Sequence, residues 1–154
     1  MTTIVDGTTG INAPAQTITG VSTLTGGFTV GASAAPAFSA YPSSSATISS
    51  ATYTKVILNT EDFDTASAFD STTNYRFTPL VAGYYQINLV GSTPQVASSN
   101  TNSFIVLYKN GSAYKYGGNQ NSVGQQANSS WSGLVYLNGS TDYLEMYVYT
   151  SSAS

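Results

Sequence analysis

Hydrophobic positions in this chain alternate with polar ones; they do not recur at helical spacing. In Gly83–Gly91, Tyr85, Ile87 and Leu89 fall on one side and Tyr84, Gln86 and Asn88 on the other. In Asp142–Thr150, Leu144, Met146 and Val148 alternate with Tyr143, Glu145, Tyr147 and Tyr149. A period of two is the mark of a strand with one face buried. No window sustains the i, i+3, i+4, i+7 apolar spacing of a helix. Tyr, Thr and Val, which suit a pleated surface, are abundant. The pattern predicts strands at Ala37–Tyr41, Tyr53–Thr60, Tyr75–Thr78, Gly83–Gly91, Ser103–Lys109, Ala113–Tyr116, Ser130–Leu137 and Asp142–Thr150. Asn110-Gly111 is a strong hairpin signal, and Asn138-Gly139 is expected to play the same part before the last strand. Pro42–Ala51 and Gly117–Ser129 read as loops. Eight short strands in residues 36–154 fit an all-β, two-sheet jelly-roll sandwich.

Pro36 marks a boundary. Residues 1–35 are rich in Thr and Gly, with small apolar islands at Ile4, Val5, Ile11, Ile18, Val21, Leu24, Phe28 and Val30. Pieces this short cannot bury a core alone. They read either as a low-complexity tail or as an extended attachment segment that orders against its own copies or a partner surface. The regular recurrence of the apolar residues favours attachment. Asp6-Gly-Thr-Thr-Gly-Ile11 resembles the openings of phage virion fibre and neck proteins, in which such segments lead into a trimeric module.

The most specific string is Tyr75-Arg-Phe-Thr-Pro-Leu-Val-Ala-Gly-Tyr-Tyr-Gln-Ile87. Pro79 cannot serve a central ladder and forces an extended turn. Gly83 is expected to let the chain re-enter the sheet at a tight bend. The string resembles the signature of the globular head of complement component one-q and its tumour-necrosis-factor-like relatives. Four further pieces agree in order. They are Ala37-Phe-Ser-Ala-Tyr41, the Phe63-Asp64 and Phe69-Asp70 stretch, Leu107-Tyr-Lys-Asn-Gly111, and Leu137-Asn-Gly-Ser-Thr-Asp142 with the strand after it. The family usually has Gly and Asp adjacent in the last piece, where Ser140-Thr141 intervene here. The resemblance covers residues 36–154 and implies a ten-stranded jelly roll that associates as a trimer. Two strands beyond the eight are then expected around Thr47–Ser49 and Asn119–Gln125. The resemblance also implies that Tyr84, Gln86 and Asn88 look toward the threefold axis.

A second feature points the same way. Tyr143, Tyr147 and Tyr149 occupy a strand face that would normally carry charges to water. Concentrated aromatic area suggests a contact surface. The alternative is that these rings simply cover a sheet, since Tyr is common on β surfaces. The expected trimer interface is therefore Tyr84, Gln86, Asn88, Tyr143, Tyr147 and Tyr149.

Composition narrows the chemistry. The chain of 154 residues has 7% charged residues and a net charge of −3, while Ser, Thr and Asn together make 55 positions. Its four basic residues, Lys55, Arg76, Lys109 and Lys115, are too few for a nucleic-acid footprint or a polybasic membrane patch. With no Cys and no His, disulfides, zinc-thiolate sites, cysteine nucleophiles and imidazole bases are excluded. No signal-peptide pattern and no run of 18 apolar residues is seen, so the expectation is synthesis in a host cytoplasm followed by assembly into a virion.

Glu61, Asp62, Asp64 and Asp70 cluster in sequence. A solvated acidic loop is the plainest reading of them, ahead of a calcium site or a glycosidase pair. No cofactor, metal or enzymatic activity is expected. Lys55 and Arg76 read as ion-pair or cation–π partners. Tyr114, Tyr116, Asn119, Gln120 and Trp131 flank a polar loop in a manner suited to gripping sugar rings. For Trp131 the favoured reading is a core side chain, alternating with Gly133 and Val135. The expected function is a homotrimeric fibre or decoration knob of a phage virion, held to capsid, neck or tail proteins by residues 1–35. The alternative is an adhesin head for a host-surface glycan or protein.

Overall fold

The computed structural model describes residues 36–93, 101–122 and 126–151, and the residues expected to serve attachment, Ile4, Val5, Ile11, Ile18, Val21, Leu24 and Phe28, lie outside them. Every regular element among the described residues is a strand. They are β1 (Phe38–Tyr41), β2 (Thr52–Lys55), β3 (Thr60–Asp64), β4 (Phe69–Asp70), β5 (Arg76–Phe77), β6 (Gly83–Thr93), β7 (Thr101–Lys109), β8 (Ser112–Tyr116), β9 (Gln120–Ser122), β10 (Ala127–Leu137) and β11 (Leu144–Thr150). All pairing is antiparallel. The large sheet runs β4-β5-β11-β7-β8, with β2 on β11 and β9 on β7. β10 and β6 pair along their whole length, from Leu137 opposite Gly83 to Ala127 opposite Thr93. β1 pairs with β3.

These sheets pack as a sandwich. Ile87 of β6 and Val135 and Leu137 of β10 meet Leu107, Leu144, Phe69 and Phe77 of the large sheet in one buried cluster. Each such side chain stabilises the fold by about 1.5–3 kcal/mol relative to exposure. Phe38 of β1 closes one end, its ring 4.7 Å from Phe69 and 4.6 Å from Phe77. The alternation read from β6, from β11 and from Trp131, Gly133 and Val135 of β10 is the alternation observed.

Several expectations change. Tyr53–Thr60 is two strands. β2 pairs with β11, and the Val56 N–H still donates to the Met146 carbonyl. Leu58 N–H then bonds to the Val56 carbonyl and Asn59 N–H to that of Ile57, both at 3.1 Å. These short-range bonds bend the chain away, so that β3 pairs with β1 instead. Thr47–Ser49 forms no strand, although Ile48 is buried. The Gly117–Ser129 stretch contains β9 and the start of β10, so the expected strand around Asn119–Gln125 exists as Gln120–Ser122. Phe63-Asp64 and Phe69-Asp70 are strand residues in β3 and β4.

Turn chemistry divides. Asn110 and Gly111, at φ 53° and 76°, form the β7–β8 hairpin turn as expected. Asn138-Gly139 makes no hairpin, because β10 and β11 belong to different sheets. It opens an arch between them, in which the Asn138 side-chain oxygen accepts bonds from the N–H groups of Ser140, Thr141 and Asp142. Gly83 keeps a negative φ, and a Cβ there would meet nothing within 4 Å, so the bend does not require glycine. Tyr75, at φ 48°, carries the left-handed residue of that signature instead.

Candidate functional site

Two broad surfaces and one loop cluster could act as a site. The outer face of the β6–β10 ribbon carries the first half of the expected interface. Tyr84 is 74% exposed, and its ring lies 5.3 Å from Tyr136 across the pair. Val90 is 79% exposed, Leu134 63% and Tyr136 48%. These residues face outward because their pleat neighbours Tyr85, Ile87, Val135 and Leu137 belong to the core side. Between the apolar groups, Gln86 donates to the Ser132 hydroxyl at 2.9 Å, and that hydroxyl donates to Asn88 at 2.8 Å. The polar groups of this face thus bond to one another, and the face carries no charge. Sequence reasoning missed Val90, Leu134 and Tyr136. The register of β10 against β6 is what aligns them with Tyr84, and no local pattern states that register.

The second half of the expected interface lies elsewhere. Tyr147 and Tyr149 point from the far face of the large sheet, because Leu144, Met146 and Val148 turn inward. Tyr147 stacks on Tyr108 with ring centres 3.8 Å apart, and Tyr149 on Phe104 at 5.0 Å. Tyr53 packs on Tyr149 at 5.1 Å, and Tyr116 reaches Phe104 at 5.9 Å. Val106 sits under this layer with 0% exposure, although its side chain faces away from the core. Burial pushes the phenols of Tyr108 and Tyr147 above their ordinary range. Glu145, on the same face, is buried and pairs with the Lys55 ammonium, which also donates to the Asn74 carbonyl. Tyr143 takes the Arg76 guanidinium over its ring at 4.4 Å. Lys55 and Arg76 therefore serve as sequence reasoning expected. The six residues expected at an interface do not share one face: Tyr84, Gln86 and Asn88 are on one side of the sandwich, and Tyr143, Tyr147 and Tyr149 on the other.

In the loop cluster, Tyr114 and Tyr116 are exposed on β8, and Asn119 donates to the Asn102 side chain at 3.0 Å. Gln120 lies in β9. Trp131 stands apart from them. It packs against the core from β10, its indole lying over Gly133, where a Cβ would come within 2.8 Å of the ring.

The acidic residues are engaged by the backbone around them. Asp64 accepts from the N–H groups of Ala66 and Phe69. Asp70 accepts from those of Thr72, Thr73 and Asn74 and from the Asn74 amide. The Thr73 N–H above all holds its carboxyl well below the usual carboxylate range. Asp62 accepts from the Ser39 hydroxyl. Among the described residues no three metal-ligating side chains converge. Asp142 is likewise structural: Asn110 and Lys109 hold its carboxyl below the ordinary value and tie the hairpin to the β10–β11 arch. No helix among the described residues is long and apolar enough to cross a membrane. No protein-family model and no curated protein sequence matches the chain.

Proposed function

We propose that the protein is a homotrimeric structural component of a phage virion, a short fibre or decoration knob. Its head is a jelly roll like that of the tumour-necrosis-factor-like proteins, and residues 1–35 hold it to capsid, neck or tail. The observation that carries the reading is the uncharged, largely apolar outer face of β6 and β10, with Tyr84, Val90, Leu134 and Tyr136 open to solvent. A face of this kind on a single chain favours contact with another protein surface. At a threefold axis the groups nearest the axis meet their own copies, and a face without charge meets no like-charge repulsion there. The virion part of the reading is supported by the Gly-Thr opening segment and by the low charge and high Ser, Thr and Asn content of the chain.

Light scattering on the full chain tests the assembly: a mass three times 16.0 kDa is expected, and a monomer at every concentration would end the trimer reading. Deleting residues 2–34 should leave a folded trimer that no longer joins the particle. A second reading, an adhesin head, is favoured by the exposed Tyr114 and Tyr116 beside Asn119. Loss of host-cell binding on replacing both tyrosines with Ala, with assembly intact, would support it.

A further inference from the structure

We propose that the groove between β1 and β6 is a strand-acceptor site, which takes one extended segment of another polypeptide with apolar side chains at alternate positions. The proposal stands on the groove itself and does not rest on the virion reading.

β6 bonds to β10 along one edge over all eleven residues, and β1 bonds to β3. Among the described residues no strand pairs with the second edge of either. Unpaired edges present rows of backbone donors and acceptors that readily take up another strand. Here both open edges border one groove of about 1390 Å³. Consecutive residues Gln86–Ser92 line it, and so do Phe38–Tyr41. A wall built from both sides of a pleat is a strand edge, not a strand face. The floor open to a guest is apolar, made by Phe38, Ala40, Leu58 and Leu89 over the closed core of Phe69, Ile87, Leu107 and Leu144.

Burial is incomplete along this groove. Phe38 and Ala40 of β1 and Leu89 of β6 point toward the core yet are only half-buried, whereas Val135, Leu137, Ile105 and Leu107 are fully buried. Leu58, Tyr85 and Trp131 are half-buried too, so the open edges account for Phe38, Ala40 and Leu89 among the core-packed side chains that a guest could cover.

The path of the guest follows too. Pro36–Phe38 lie beside Tyr84–Ile87 in a smaller cleft, and the larger groove continues with Phe38–Tyr41 and Gln86–Ser92. The starts of β1 and β6 thus lie together and both strands continue along the groove, so a guest strand can run beside the two edges. The volume exceeds the roughly 300–1,000 Å³ of small-molecule pockets. Among the described residues of the lining the charged ones are Lys55 and Glu145, which pair with each other. A neutral strand that adds to the sheet edge through its backbone, with alternate apolar side chains turned to the floor, meets all of these features.

The test titrates the full chain into a labelled peptide of alternating Thr and Val with a Lys at each end, read by fluorescence anisotropy. Saturable binding is expected, weakened roughly tenfold or more when alternate peptide amides are N-methylated. Leu89→Lys and, separately, Ala40→Lys, on the two walls, should weaken it similarly. The N-methylated arm uses unaltered protein and so holds if either variant fails to fold. Amide hydrogen exchange should slow in β1 and β6 on peptide addition and stay unchanged in β8. No saturable binding, or equal binding of the N-methylated peptide, overturns the proposal. So does slow exchange at both edges in the free chain, which means that its own residues or a sister copy already fill the groove.

Discussion

At the scale of the residue, a few side chains and two glycines decide the turns. Gly139 sits at φ +70°, and a Cβ there would lie 2.3 Å from the Ala82 nitrogen. Gly139→Ala therefore forces both an unfavourable backbone region and a backbone clash, and about 1–3 kcal/mol or more of stability should be lost. Gly83→Ala, with open space and an ordinary φ, should melt within a degree or two of the parent, and a differential thermal melt of the two variants checks both. Asp70 gives a pH signature. Its carboxyl is held low by backbone N–H groups, so the folded state favours the ionised form. That contribution is complete above the unfolded value of about 4 and is lost as pH falls through the lower folded value. Asp70→Asn should thus lower the melting temperature by a constant amount from pH 5 to 8. The gap to the parent should close as the pH is taken toward 2, and a gap that widened in acid would contradict the assignment.

At the scale of the element, β11 is the strand on which the large sheet depends. It bonds to β7 along its whole length and to β5 and β2 on its other edge. Its outward rings are already covered by neighbours, above all Tyr147 by Tyr108. A double-mutant cycle with Tyr108→Leu and Tyr147→Leu should show a coupling of about 0.5–1.5 kcal/mol in urea unfolding. Zero coupling would mean that the stack contributes nothing within one chain. The alternation that marks β11 was legible in the sequence, as was that of β6 and of Trp131, Gly133 and Val135 in β10, because each strand turns one side to the core. What a tyrosine-rich second side does was not legible. Val106, Phe104 and Tyr108 reach that layer from another strand, and only the register of β7 against β11 reveals that the rings hide one another. The same limit explains β2 and β3. Tyr53–Thr60 reads as one β-rich run, and the bend at Val56–Asn59 is made by bonds within the chain and to the Met146 carbonyl, which no local pattern announces. Asn138-Gly139 misled for a related reason: the same two residues that close a hairpin also open an arch when the next strand joins the other sheet.

At the scale of the whole molecule, two outward faces compete for the role of contact surface, and their packing ranks them. The large-sheet face packs much of its aromatic area on itself, burying Val106 and Glu145, which pairs with a partly exposed Lys55. The β6–β10 face leaves Leu134 and Val90 standing in water, with its polar groups bonded among themselves. Association gains most where exposed apolar area is removed from water at least polar cost. Leu134→Asp, and separately Tyr84→Asp, should therefore convert the proposed trimer to monomers, with the strand spectrum retained, because both side chains are exposed and neither belongs to the core cluster. Tyr149→Asp should act differently. It removes a ring from the Tyr53–Phe104 stack, so the melting temperature should fall while the assembled mass persists up to the melt. Light scattering beside thermal denaturation separates the two effects. If Leu134→Asp keeps the full mass and Tyr149→Asp releases folded monomers, the threefold contact lies on the large sheet and the ranking of the faces is reversed.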